Sequence, residues 1–245
     1  MCSMTSGGAF ADAIVLAAGS STRMAGADKL TLSVGGLPLL AWTLRAVAAA
    51  ATVRRIVLVT RADRVDEWLQ EPWVRDVGAS LVVGGARRQD SVAAGVDASD
   101  GEVVLIHDGA RPLVTPVLVD RVALAAREHG AAVPVVAVPE SMRRILDDRI
   151  VAQIDKTDLY RSQTPHGARR ELLLAAYERQ NPRGAHTFID ETTLVQAAGF
   201  WVATVPGDPA NLKVTLPGDE ELAMALLEAR AREELEARAR EEVGQ

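Results

Sequence analysis

One cysteine, Cys2, is all that the 245 residues contain. That excludes an intramolecular disulfide and a cysteine-ligated zinc site, and it points to a reducing compartment, the cytoplasm. No apolar run approaches the roughly eighteen residues of a membrane-spanning helix. Met1–Phe10 lacks the basic-then-apolar order of a secretory signal. Rich in small residues and carrying a second potential start at Met4, this segment reads as a disordered leader. Positive charge is not in excess either, since the formal net charge is −6. A general binder of nucleic acid or of anionic membranes usually carries a basic face, so that class is excluded. An anionic ligand must instead meet a local cluster of Lys and Arg.

Several catalytic signatures are also missing. Gly-x-x-x-x-Gly-Lys-Ser/Thr does not occur, which excludes a P-loop NTPase. Gly-x-Gly-x-x-Gly is absent, and the second strand candidate ends in Val59-Thr60-Arg61 with no acid to hold a ribose diol, against a nicotinamide-binding domain. No Gly-x-Ser-x-Gly elbow accompanies His107, and the four histidines show no zinc-ligand spacing.

What is present is an α/β pattern, 48% hydrophobic and 24% charged, enough for one self-supporting core. Short apolar, β-branched runs at Ala13–Ala17, Arg55–Thr60, Ala79–Val83, Glu102–His107 and Ala131–Ala137 read as strands. Helical patterns at Pro38–Ala50, Arg64–Gln70, Gln89–Ala98 and Pro116–Glu128 separate them. Right-handed crossovers then give a doubly wound, mostly parallel sheet, with ligands outside the carboxyl ends of its strands. Residues 139–163 break the pattern. Arg143–Leu146 and Ile150–Ile154 flank the turn-like Asp147-Asp148, which predicts a protruding β-hairpin arm too poor in apolar surface for a core of its own. Such arms pack on a partner subunit. Helices near Arg169–Arg179 and Asp190–Ala198 follow, with strands near Trp201–Val205 and Leu212–Thr215. A single domain thus covers 11–227. The stretch from Gly218 to Glu242, with Glu228/Arg232 and Glu234/Arg238 at i,i+4, predicts a helix whose first turns dock through Leu222, Leu226 and Leu227 and whose remainder, 228–245, is a solvated tail beyond the domain.

Four loops carry the chemistry. Ala17-Ala18-Gly19-Ser20-Ser21-Thr22-Arg23-Met24 follows the first strand. Its small residues let backbone N–H groups approach a polyphosphate, while Arg23 and Lys29 add fixed positive charge. Together they suit a triphosphate and the charge that develops on a phosphorus under attack. Gly84-Gly85-Ala86-Arg87-Arg88-Gln89-Asp90-Ser91 again exposes backbone, able to read a base edge with help from the Ser91 hydroxyl; Asp90 and Ser91 also suit a helix start. Ile106-His107-Asp108-Gly109-Ala110-Arg111-Pro112 places an acid at a strand's carboxyl end, where magnesium prefers few carboxylates plus phosphate oxygens and water. Asn211-Leu212-Lys213-Val214-Thr215 brings Lys213, a solvated strand lysine or a phosphate contact.

In order along the chain, these loops together with Gln163-Thr164-Pro165 and Asp190-Glu191 resemble the 2-C-methyl-D-erythritol 4-phosphate cytidylyltransferase family, from about Asp12 to Leu227. The resemblance implies a Rossmann-like nucleotidyltransferase fold. It also implies a magnesium-dependent transfer of CMP from CTP to methylerythritol phosphate with release of pyrophosphate, in non-mevalonate isoprenoid synthesis. It implies a homodimer joined by the arm, each site borrowing a residue from the partner. Arg23, Lys29, Lys156 and Lys213 are then the catalytic cations. Ala17, Ala18, Gly19, Ser20, Lys29, Gly84, Gly85, Ala86, Arg88, Ser91 and Gly109 line the CTP site. Asp108, Arg111, Ser141, Lys156, Thr164 and Lys213 face the acceptor, with Asp108 also facing the metal.

Three positions depart from the family pattern: Lys156 stands where Arg is usual, Ser141 where Thr is, and His166 where Gln is. Lysine keeps the charge but loses the bidentate fork. All three fall in or just beyond the arm, so they bear on the acceptor more than on CTP. Two rival readings follow: a cytidylyltransferase for another polyol phosphate such as ribitol 5-phosphate, and a non-catalytic nucleotide-binding or scaffold protein of the same fold. A mere binder has no need of Arg23, Lys29, Asp108 and Lys213 together.

Overall fold

The computed structural model describes residues 8–19 and 29–243. The central sheet grows from β1 (Ala11–Leu16), which pairs in parallel with β4 (Val53–Thr60) on one side and β6 (Val103–Asp108) on the other. β5 (Ser80–Val83) adds to β4 in parallel. A strand buried on both faces needs apolar residues on both, and β1, β4 and β6 have them through Ala13–Leu16, Ile56–Val59 and Val103–Ile106. Ala13, Val15, Ile56, Leu58, Val103 and Leu105 enter one layer, and the alternating Ile14, Val57, Val59, Val104 and Ile106 enter the other.

Helices cover both faces, so the sheet is doubly wound as its alternating pattern predicts. α1 (Leu39–Ala48) and α5 (Pro116–His129) bury Leu40, Leu44, Leu118 and Val122 in the first layer. The short α2 (Val65–Gln70) and α3 (Pro72–Arg75) add Trp68 and Trp73 there, edge to face at 5.7 Å. α4 (Arg88–Asp97), α6 (Arg170–Gln180) and α7 (Glu191–Ala197) close the second layer through Val92, Leu173 and Leu194. α4 lies very close to the sheet. A Cβ at Gly95 would collide with Ile14, and only glycine lets that helix start near the strand ends.

The far half of the sheet is less regular. β7 (Ala131–Ala137) runs in the same sense as β6, but β11 (His166–Arg169) lies between them, antiparallel to both. β10 (Tyr160–Ser162) pairs antiparallel with the end of β7, and β12 (Ala203–Pro206) pairs with it in parallel. A small hairpin, β2 (Ser33–Val34) and β3 (Leu37–Pro38), precedes α1.

Two expectations need correction. Leu212–Thr215 is not a strand: its Val214 N–H donates to Ala110 O at 2.9 Å, but Ala110 lies in a turn and offers no ladder to continue. Leu222 does not dock the tail helix, α8 (Asp219–Val243). Ala223 and Leu227, four residues apart, share the buried stripe, and Leu222 falls on the water side at 53% exposure. Leu226 packs partly buried against the core, and Arg230 donates to Leu113 O at 3.0 Å. At the other end of the chain Phe10, grouped with the leader by sequence, joins the fold: its N–H donates to Thr52 O and its ring lies under Arg127. Residues 1–7 of that leader lie outside the described residues.

The arm, β8 (Met142–Leu146) and β9 (Arg149–Ile154), forms its own two-stranded sheet. Asp147 and Asp148, with φ of 47° and 59°, make the two-residue turn, as a tight hairpin of this twist requires. Among the described residues no helix is long and apolar enough to cross a membrane.

Candidate active site

The carboxyl ends of β1 and β6 and the loops after β1 and β5 enclose a cleft of about 450 Å³. It gathers Ala17, Ala18, Gly19, Lys29, Gly85, Ala86, Arg88, Ser91, Asp108, Gly109 and Lys213, residues spread over nearly two hundred positions of sequence. Arg87 joins them. Ser20 and Arg23 lie outside the described residues.

The backbone explains the gathering. Ala17 N–H donates to Val59 O and Gly109 N–H to Leu16 O, so both loops leave the sheet still tied to β4 and β1. A Cβ on Gly109 would come within 2.8 Å of Leu16 O, which makes glycine a packing requirement there. Ser91 Oγ accepts from Gly85 N–H at 3.1 Å, folding the third-strand loop back onto α4. Gly84 lies behind that loop, where a side chain would strike Ala18 and Ser91; it shapes the wall without lining it. Asp90 accepts from the Arg87 backbone and side chain at the first turn of α4, the helix-start role its position suggested.

Asp108 is the electrostatic centre. Its Oδ2 accepts from Lys213 Nζ at 2.7 Å and stands 3.9 Å from Arg111 Nε; Oδ1 lies 3.4 Å from Arg88 Nη2. Burial pushes this carboxyl up, but Lys213, Arg88 and Arg111 together hold it well below the usual carboxylate range. Arg111 faces inward, donating to Asn211 O at 2.7 Å, so it supports the cleft floor without opening onto it. Lys29 Nζ donates to Val214 O at 3.0 Å, on the segment that carries Lys213. Among the described residues, Lys29, Arg88, Arg111 and Lys213 face Asp108 and Glu191: four formal positive charges against two negative, an excess of two that suits a polyanion.

Thr164 is brought close but turned inward. Its buried Oγ1 accepts from Asp108 N–H at 3.1 Å and pairs with His107 Nδ1 at 3.0 Å. Burial lowers the His107 pKa to about 4 against the opposing charge of Asp108, so the ring is neutral near pH 7. Ser141 and Lys156 do not reach the cleft of their own chain. Both are exposed at the base of the arm, where Lys156 Nζ donates to Pro139 O at 2.6 Å.

Sequence reasoning assigned no role to Gln89, named Glu191 only as part of the Asp190-Glu191 motif, and placed His166 on the acceptor side. Glu191 is buried and pairs Arg88 and His166. Gln89 donates to His186 O and accepts from Phe188 N–H, pinning the 181–190 loop to α4. The only sequence signal was a charged residue inside the apolar pattern of a helix start, which a solvated residue produces equally well.

A cation-lined cleft at the carboxyl ends of a mostly parallel, doubly wound sheet, with glycine loops for walls, is the site of a nucleotidyltransferase. Comparison with known proteins specifies which. The family model for 2-C-methyl-D-erythritol 4-phosphate cytidylyltransferase matches residues 11–229. A Cereibacter sphaeroides protein of that name is 44% identical over 220 residues, 88% of this chain and 96% of its own. The crystal structure of the Thermus thermophilus protein of that name superposes with a TM-score of 0.74 at 34% identity, over 88% of this chain and 98% of that one. An Anaeromyxobacter bifunctional enzyme, IspD/IspF, is 40% identical over 89% of this chain, which spans 57% of the longer relative. The chain belongs to the 2-C-methyl-D-erythritol 4-phosphate cytidylyltransferase family, and is thereby a CTP-dependent nucleotidyltransferase.

Proposed function

We propose that the cleft holds CTP with its base against the Gly85–Ser91 loop and its triphosphate toward Lys29, and that methylerythritol phosphate enters from the Asp108 side. The observation that carries this is the gathering of Lys29, Arg88 and Lys213 in one cleft sized for a nucleotide, the last two against an ionised carboxylate. An oxygen of the acceptor phosphate forms the new bond to the α-phosphorus of CTP, and the bond from that phosphorus to the bridging β-oxygen breaks in line. Pyrophosphate leaves. A phosphate monoester is already anionic near neutral pH, so no strong general base is needed. The protein contributes positioning and charge stabilisation. Lys29, with Arg23, neutralises charge on the equatorial oxygens, while Lys213 and Arg111 keep Asp108 ionised and fixed beside the acceptor.

A divalent cation fits as a companion of CTP. Among the described residues Asp108 is the one carboxylate lining the cleft, and its oxygens are already met by three cations. Triphosphate oxygens and water would therefore supply most of the ligands, the arrangement magnesium favours, and the ion would offset charge on the departing pyrophosphate.

Ser141 and Lys156, exposed and outside their own cleft, would act in the partner's site, with the arms of a homodimer embracing. The lone cysteine suits a reducing, cytoplasmic setting.

The test is pyrophosphate release from all four nucleoside triphosphates against several polyol phosphates. Release is expected with CTP and methylerythritol phosphate. Faster turnover of ribitol 5-phosphate would reassign the acceptor, and CTP binding without release from any acceptor would reduce the protein to a nucleotide binder.

A further inference from the structure

Arg88 is shared between two carboxylates from different parts of the fold. Toward the cleft its Nη2 stands 3.4 Å from Asp108 Oδ1. Toward the core its Nη1 donates to Glu191 Oε1 at 2.6 Å. Glu191 does not line the cleft; it is the first residue of α7, on the far side of Arg88 from the ligand space. Its other oxygen meets His166 Nδ1 at 3.1 Å, and His166 is buried on β11. An ionised carboxylate only accepts, so His166 carries a proton on Nδ1 and donates it. The carboxylate does stay ionised: burial pushes Glu191 up, but the His166 hydrogen bond and the Arg88 charge hold it below its ordinary range.

Nothing in the transfer step uses either residue. Yet a guanidinium is a rigid plane, so fixing Nη1 from behind also fixes the direction in which Nη2 points. The contact lengths are unequal in a telling way. The tight bond is the one away from the reaction, and the loose one faces it. An arginine left to the nearest carboxylate would close fully onto Asp108, neutralise it and withdraw from an incoming phosphate.

We infer that Glu191 and His166 are positioning residues for the nucleotidyl transfer: from behind the cleft they hold the Arg88 guanidinium off Asp108, so that its cleft-facing edge stays available to CTP. The inference rests on the cleft being the CTP site. His166 is thus more than filler in the Thr164-Pro165-His166 segment; it satisfies the carboxylate oxygen that Arg88 leaves over, and a buried oxygen without that donor would pull Arg88 further inward or drift toward water.

Full-length Glu191→Gln, His166→Ala and His166→Gln test this, with CTP affinity by calorimetry, KM and kcat by pyrophosphate release, and melting temperature in parallel. Glu191→Gln keeps the shape and loses the charge; His166→Ala leaves one Glu191 oxygen without a donor. Both are expected to raise the Kd and KM for CTP about tenfold, the scale of one charge-assisted hydrogen bond, with little change in the acceptor's KM. His166→Gln, whose amide N–H can donate in place of the imidazole, is expected to restore the wild-type values. The inference is overturned if the first two variants melt earlier but bind and turn over CTP normally, or if His166→Gln behaves as badly as His166→Ala. Should Glu191→Gln fail to fold, the two His166 variants decide alone. Should the wild type release no pyrophosphate with methylerythritol phosphate, the acceptor assignment fails, while calorimetry with CTP still decides the role of the pair.

Discussion

At Asp108 a carboxylate is 9% exposed and meets Lys213, Arg88 and Arg111; at the tip of the arm Ile145, Leu146 and Ile150 stand 55%, 62% and 67% exposed. The cleft draws its geometry from within the chain. Among the described residues Asp108 and Glu191 are met by cations of the same chain, and the loops after β1, β5 and β6 are tied to neighbouring strands by backbone bonds. The arm has a well-formed turn and a ladder but no apolar surface to lean on, and a lone two-stranded hairpin is marginal in water. The difference teaches where to look for what the chain lacks. On the function proposed above, a second copy of the chain brings Ser141 and Lys156 of its arm to the cleft that holds CTP.

Deleting Met142–Ala152 should break the comparison most severely. Turnover is expected to vanish and the protein to become monomeric, while CTP affinity by calorimetry stays at the wild-type level. Light scattering that shows a monomeric wild type at micromolar concentration would sink the arm's role. Next comes Asp108→Asn, which keeps the shape but strands three cations around a neutral amide; turnover should fall about a thousandfold, the upper range for losing one preorganised charge. Lys29→Ala should cost about a hundredfold in turnover, on the order of 3–4 kcal/mol, with a smaller loss in CTP affinity. Near-normal turnover would mark Lys29 as a loop cation tethered to Val214 and nothing more.

His107 sharpens the same contrast through pH. Its folded-state pKa is lowered to about 4 by burial, so the unfolded chain binds its proton first as pH falls. Its contribution is fully present above the unfolded value of roughly 6.5 and declines toward about pH 4, costing about 2 kcal/mol between pH 7 and 5. Melting temperature against pH should therefore fall more steeply for the wild type than for His107→Gln. Equal slopes would disprove it. The smallest effect is expected at Lys156. Changing it to Arg should lower the KM for methylerythritol phosphate by offering a planar fork, and changing it to Ala should raise that KM, with the KM for CTP untouched in both. If neither substitution moves acceptor kinetics, Lys156 lies outside the partner's site.

Much of this was legible before any coordinates. Strands β1, β4 and β6 announce themselves because burial on both faces forces β-branched and aliphatic runs through their middles, and β5 and β7 carry similar short runs. The arm is legible for the opposite reason, since Asp147-Asp148 between two short alternating segments admits little besides a tight turn. The members of the cleft, from Ala17 to Lys213, could be picked out together through the ordered family motifs; taken singly, small residues and cations at strand ends read equally well as turns and solvated positions. The illegible elements are those whose reason is tertiary. β11, with the sequence His-Gly-Ala-Arg, has no β-branched residue, and it is a strand only because β6 and β7 leave a gap of its width. Leu212–Thr215 shows the converse, with the composition of a strand and no neighbour to pair with. Thr164 was read as facing a ligand, and nothing in the sequence says that its hydroxyl is already taken by Asp108 N–H and His107. Glu191 looks like any acid at a helix start until Arg88 and His166 are seen to enclose it.

The gap that β11 fills also constrains how the molecule is made. β6 and β7 are consecutive strands, yet they never touch along their length, because the strand between them is laid down some sixty residues after β6 ends. A chain leaving the ribosome can zip β1, β4, β5 and β6 as they appear, but it must hold β7 apart until His166–Arg169 arrives, a pairing of high sequence separation and so a slow one. The same arrival delivers Thr164 to Asp108. Joining β6 to β7 and fixing the Asp108 backbone are then one event, while Glu191 and Lys213, both further along the chain, set the charges of the cleft afterwards; a nascent or truncated chain that ends before β11 has the walls of a nucleotide site without a finished floor.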